Sequence, residues 1–357
     1  MINNVGRFCL AKGVKLVWLF QIKTVSLPDR TFERIKNMKK ISLLSVCLLC
    51  LLSLSTRAEV IPVDTIPFEL GADNRLYVTV YINGQDDRPL RFVLDTGATD
   101  VVLNSNSPRT EGLAAFTGSE ENNSANSVET IPSTESSQVV RMGSRAISGL
   151  ELVAIPFPPD AWDGVLGLSY LRNFDVRIDY RRKSIFLYEL GDGQKAASDK
   201  AVRLKMDYRL GDPGEPGVPV VPVGVRVGGV DYQVSVEVDT GSDRVFDLNT
   251  PFVRHNGLLG TQKPFAISRI AGTVKDGDEL QNVYFDSVTL GDSLTLPRIP
   301  GAFSTVTEGV QASEVMDGVL GNNFLQRFNQ LYDFKNNYLY LEVNDRLYTP
   351  FYDFLVR

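Results

Sequence analysis

The chain has 357 residues, with 37 Lys and Arg against 43 Asp and Glu, one His and three Cys, and a net charge of −6. Cys9, Cys47 and Cys50 all precede residue 59, so beyond that point no disulfide framework, thiol nucleophile or Cys-based metal site can form. The lone His255 leaves a Ser-His-Asp relay or a zinc site with a single imidazole, so hydrolytic chemistry here leans on carboxylates.

Residues 38–58 have a basic start, an apolar run over 41–54 and Thr56-Arg57-Ala58 ahead of Glu59, the pattern of a secretory signal peptide with a small-x-small cleavage site. The run is short for a bilayer span. Val46 and Leu49 also stand where a lipoprotein needs a small residue before its Cys. Met38 is therefore expected as the initiator, residues 1–37 as a functionless extension from a start set too early, and Glu59 as the first residue of an exported, periplasmic or secreted chain. Membrane contact is expected only if the leader is retained. Without residues 1–58 the balance is 27 basic against 41 acidic in 299 residues, which disfavours nucleic acid or an anionic membrane as partner and leaves room for two domains.

From residue 66 the sequence reads as strands and turns. Residues 66–70 and 76–82 lead into Asn83-Gly84, a hairpin signal, and 90–94 return into Asp95-Thr96-Gly97-Ala98. Residues 104–138 are rich in Ser, Asn, Thr and Glu, a composition expected to bury too little apolar area to order itself. Strand-rich residues 139–157, turning at Met142-Gly143-Ser144, lead to Asp163-Gly164-Val165-Leu166-Gly167. A short helix is expected over 169–174, then a hairpin turning at Arg181-Arg182-Lys183. Residues 191–218 read as a connection. Its Gly191-Asp192-Gly193-Gln194-Lys195-Ala196 lacks the strand and helix that a nucleotide site needs.

The second half replays the first. Residues 220–227, Gly228-Gly229 and 232–238 deliver Asp239-Thr240-Gly241-Ser242, and a shorter interval over 266–280 follows. Strand-rich residues 283–303 turn at Gly291-Asp292 and lead to Asp317-Gly318-Val319-Leu320-Gly321. A second short helix is expected over 323–328, with a hairpin turning at Lys335-Asn336-Asn337. Asp163 to Asp179 spans the same interval as Asp317 to Asp333, so a whole structural unit is repeated. His255 is expected in an exposed loop.

Asp-Thr-Gly followed by a small residue, then Gly-Val-Leu-Gly, Leu-x-x-Phe and Asp-(Tyr/Phe), resembles the retropepsin-like aspartic proteases, and the bacterial aspartyl protease branch in particular. The resemblance runs from about residue 66 to 341, once in each half. It implies an all-β fold of two retropepsin-like β-barrel lobes related by a pseudo-twofold axis, with a cleft between them. The expected organisation is a first lobe over 59–190, a linker over 191–218 and a second lobe over 219–357, with both half-sites in one monomeric chain.

By that resemblance Asp95 and Asp239 are the catalytic pair. Thr96 and Thr240 direct their hydroxyls across the axis, Gly97 and Gly241 keep the turns tight beside Ala98 and Ser242, and Gly167 and Gly321 let a strand pass close behind each loop. Two carboxyls in contact cannot both ionise, so one can take a proton from water while the other donates to a peptide carbonyl. No metal or organic cofactor is expected, and the expected partner is a peptide or protein substrate. Residues 104–138 sit where the family has its flap, and a covering hairpin and a passive insertion both remain open. The Ser242 hydroxyl is expected on the Asp239 carboxylate, which would make Asp239 the ionised member. A catalytically inactive peptide-binding module of the same fold is the alternative. A glycosidase, which also uses paired carboxylates, would leave the repeat and the two threonines without a purpose.

Overall fold

The computed structural model describes residues 60–211, 216–271 and 276–351, and the expected leader lies outside them. Within the unit Glu59–Arg357 the architecture is all-β, in two lobes. A ten-stranded sheet builds the first lobe and an eight-stranded sheet the second, while a six-stranded sheet joins them.

Each lobe is assembled around its Asp-Thr-Gly strand in the same way. In the first, Leu90–Leu94 pairs antiparallel with Leu76–Ile82 and parallel with Gly164–Leu166, which also runs antiparallel to Val101–Asn104. In the second, Val230–Asp239 pairs antiparallel with Val218–Val227 and parallel with Gly318–Gly321, itself antiparallel to Phe246–Leu248. The two Asp-Gly-Val-Leu-Gly segments hold matching positions for a reason visible in their first residue. Asp163 Oδ2 accepts the Arg91 N–H at 2.8 Å, and Asp317 Oδ2 accepts the Ser235 N–H at 2.8 Å. Gly167 and Gly321 then pass so close to the aspartate loops that a Cβ would lie 2.1 Å from the Asp100 carbonyl oxygen and 2.4 Å from that of Arg244. Only glycine tolerates such an approach.

Gly228 and Gly229, both at positive φ, make the two-residue turn expected between the second-lobe strands. At Asn83-Gly84 both residues are also left-handed, and Gln85 donates to the Ile82 carbonyl at 3.1 Å, but the chain continues through a longer loop before Leu90. The two expected helices are single turns, Leu168–Leu171 and Asn322–Leu325. His255 ends the short helix Thr250–His255 instead of lying in a loop.

The connection is more than loop. Val202–Lys205 alternates its burial and pairs with Tyr338–Val343, and Asp207–Arg209 adds an edge strand to the second lobe. The lobes are tied where Asp175–Asp179 pairs antiparallel with Phe328–Asp333, matching Val176 with Tyr332 and Ile178 with Gln330. One hydrophobic core continues from lobe to lobe through this sheet.

Residues 104–138 correct the expectation of disorder. Gly118–Asn123 and Val128–Ser133 form an antiparallel hairpin in unbroken register from Gly118 opposite Ser133 to Asn123 opposite Val128. Composition misleads here because a ladder satisfies backbone groups whatever the side chains are. The hairpin is also anchored at both ends: Ile131 packs with Tyr77, Val93, Val102 and Val153, and the tip is seated on the other lobe. Val310 N–H donates to the Ser124 carbonyl at 2.9 Å and Gln311 N–H to that of Ala125 at 3.1 Å.

Candidate active site

Asp95 and Asp239 both stand at the C-terminal ends of buried strands, where the following Thr-Gly turns the chain. Each carboxylate is tethered by its own loop. Gly97 N–H donates to Asp95 Oδ1 at 2.7 Å, and Gly241 N–H and Ser242 N–H donate to Asp239 Oδ1 at 2.8 and 2.9 Å. The two carboxyls are hydrogen-bonded to each other.

Thr96 and Thr240, both buried, lock the loops together. The Thr96 hydroxyl donates to the Val238 carbonyl at 2.6 Å and accepts the Thr240 N–H at 3.1 Å. The Thr240 hydroxyl returns the arrangement, donating to the Leu94 carbonyl at 2.9 Å and accepting the Thr96 N–H at 3.0 Å. Each glycine lies against the opposite acid. A Cβ on Gly97 would be 2.7 Å from Asp239 Cγ, and one on Gly241 2.2 Å from Asp95 Oδ2. The structure thus brings together Asp95, Thr96, Gly97, Ala98, Asp239, Thr240, Gly241 and Ser242, with Gly167 and Gly321 directly behind the loops.

Ser242 departs from the expectation in one respect. Its hydroxyl accepts the Arg244 N–H at 3.2 Å, and it is the backbone N–H that reaches Asp239. The charge balance differs accordingly. Burial pushes both acids above their ordinary values, and for Asp239 the neighbouring charges of Asp95 and Glu237 add to it, raising Asp239 well above the usual carboxylate range. Asp239, which has the Glu237 carboxyl beside it as well as that of Asp95, is the better holder of the shared proton, the reverse of the assignment that a Ser242 hydroxyl contact would give.

Three further residues belong to the site. Arg75 Nε donates to the Gly241 carbonyl at 2.7 Å from 166 positions away; burial opposes its charge, but Asp243 and Asp73 outweigh it and its pKa is raised. Tyr332 is buried near the pair, its hydroxyl donating to Gln330 Oε1 at 2.7 Å, and the charges of Asp239 and Asp95 add to burial in raising its pKa. Glu237 stands two residues before Asp239. Neither Arg75 nor Tyr332 carries a sequence signal, since both reach the site only once the lobes dock. Glu237 had one: strand alternation puts it on the same face as Asp239, where the first half has Val93.

No group of three or more His, Cys, Asp or Glu side chains suited to a metal ion occurs among the described residues. The arrangement can hold one proton between two carboxyls in a partly desolvated cleft, the requirement for activating water against an acyl carbon.

Residues 78–173 match the model of the family described as "gag-polyprotein putative aspartyl protease". Among solved structures the chain is similar to the aspartic proteinase from Irpex lacteus, with 13% identity and a TM-score of 0.51, over 80% of this chain and 98% of that one. At that identity the likeness speaks for the fold. A search of curated proteins found no match.

Proposed function

We propose that the chain is an aspartic endopeptidase in which Asp95 and Asp239 act on a water molecule bound between them. The observation that carries this reading is the reciprocal threonine exchange, which aligns two carboxyls across the lobe boundary and leaves them hydrogen-bonded to each other. In the reaction, the ionised Asp95 takes the proton of the attacking water while the protonated Asp239 hydrogen-bonds the peptide carbonyl oxygen. The tetrahedral intermediate collapses as a proton passes to the leaving amine, and the pair returns to its one-proton state.

The substrate on this reading is an extended peptide, or an unfolded stretch of protein, lying beneath the hairpin 118–133. Both half-sites come from one chain, so the working unit is a monomer. The match over residues 78–173 supports a retropepsin-like origin, and the paired motifs support two fused copies of the bacterial branch. Residues 38–58 support export, to the periplasm or beyond.

The test is incubation of chain 59–357 with an unfolded generic protein over a range of acidic to neutral pH, with and without a hydroxyl-bearing transition-state mimic of peptide hydrolysis. Cleavage that the mimic abolishes is expected. Tight binding of peptide with no cleavage at any pH would make the chain an inactive binding module.

A further inference from the structure

The second-lobe strand that carries Asp239 also carries a carboxyl that the proposed reaction does not use. Glu237 is 4% exposed and lies between Val220 and Val319 in register. Its side chain extends toward the other lobe: a Cβ on Gly97 would meet Glu237 Oε1 at 2.9 Å and Asp239 Cγ at 2.7 Å. Both carboxyls therefore touch one point beside the Asp95 loop, and they approach within roughly 6 Å of each other, a distance at which like charges disturb one another's ionisation. The first lobe has no equivalent acid, because Val93 holds the matching position between Tyr77 and Val165.

The charges around Glu237 do not neutralise it. Asp95 and Asp239 face it directly. Arg75 is engaged by the Gly241 carbonyl, Asp73 and Asp243. On the flanking strands Asp247 is held by Arg244 and Gln311, Asp207 by Arg209, and Asp317 by the Ser235 N–H. The Tyr332 phenol donates to Gln330 Oε1. Among the described residues no Lys or Arg forms an ion pair with Glu237.

Resting on the reading of this cleft as a peptidase site, we propose that Glu237 is a positioning residue. It is a third carboxyl that, as it ionises, keeps the proton of Asp239 in place to higher pH than two carboxyls alone would. Burial first, and then the charge of Asp95, push Glu237 up to about 8. While Asp95 and Asp239 share one proton in acid, Glu237 therefore keeps its own. When Glu237 ionises, it sets a second negative charge beside Asp239, which then releases its own proton less readily. Without Glu237 the pair loses its working proton sooner.

The test compares the pH profile of kcat/KM for wild type, Glu237→Gln and Glu237→Val, the last reproducing the first-lobe residue. The basic limb is expected to move to lower pH by about one unit or more in both variants, with less movement of the acidic limb. A basic limb unmoved in a variant that cleaves would overturn the proposal and leave the peptidase reading intact. If wild type cleaves nothing, the peptidase reading fails and the proton inventory is read from unfolding midpoints against pH. The folded chain binds the Glu237 proton more tightly than the unfolded chain does, so stability from this group is fullest below about 4.5 and falls as pH rises toward about 8. Both variants should flatten that fall, and a slope identical to wild type in both would overturn the proposal.

Discussion

The two walls of the cleft share a backbone plan and differ in chemistry. Tyr77, Val93, Val165 and Val102 line up across the first-lobe strands, with Val153 and Ile131 beyond, and all are apolar or aromatic. In the same registers the second lobe has Val220, Glu237, Val319 and Asp247, with Ala302 beyond. Asp247 is paired with Arg244 at 3.0 Å and bonded by Gln311, so of the two added acids Glu237 is the one without a cationic partner among the described residues. Strand pairing and loop locking thus tolerate a change of wall from apolar to acidic, while the protons in the cleft do not. The apolar wall removes water from both carboxyls, and the acidic wall makes them unequal.

The largest way to probe that inequality is to remove the acids one at a time. Asp95→Asn and Asp239→Asn are each expected to lower kcat by about 10²–10⁴-fold, with thermal unfolding close to wild type because the isosteric amide can still donate a hydrogen bond to the remaining carboxylate. Turnover retained in one variant would mean that the lobes do not contribute equally to a single site.

Where the charges differ, the locks are the same. Thr96→Val and Thr240→Val each delete a hydroxyl that donates to one carbonyl and accepts one N–H across the lobe boundary. Each should cost about 1–3 kcal/mol, read as a shift of the denaturation midpoint. Markedly unequal losses would break the symmetry of the pair.

Gly309→Ala probes the seat of the hairpin tip. Gly309 has φ of 73°, and a Cβ there would lie 2.4 Å from the Ser124 carbonyl oxygen. The substitution should speed proteolytic nicking between residues 118 and 133 several-fold, and a tightly bound substrate mimic should slow nicking of wild type. Nicking indifferent to both would make the hairpin a passive appendage. The smallest effect is expected for Ser242→Ala. Its hydroxyl faces the Arg244 N–H and away from Asp239, so the acidic limb of the pH profile should stay in place; a limb that moves to higher pH would restore the hydroxyl as a partner of the carboxylate.

Much of this was open to view in the residues. Two copies of Asp-Thr-Gly, each followed by Asp-Gly-Val-Leu-Gly, identified the loops and the glycine strands behind them, because close backbone approach can be met by one residue type only. The hairpin 118–133 was hidden, since its order comes from main-chain hydrogen bonds and from a seat on Gly309 far along the chain. Arg75 was hidden for the same reason: its contact with Gly241 exists only after the lobes meet. Glu237 was half visible. Alternation sets it on the face of Asp239, but nothing local says that this face is buried against a loop of the other lobe.

The threonine exchange bears on when, during synthesis, the two loops can meet. Thr240 lies 144 residues after Thr96, and the strand Phe328–Asp333 that ties the lobes comes later still. A nascent chain emerging from the ribosome carries one aspartate loop without its counterpart while the next 144 residues are added, and the second loop has no docked surface to lock onto until the end. The paired loops are thus closed only in the last stage of manufacture, whichever of them folds first.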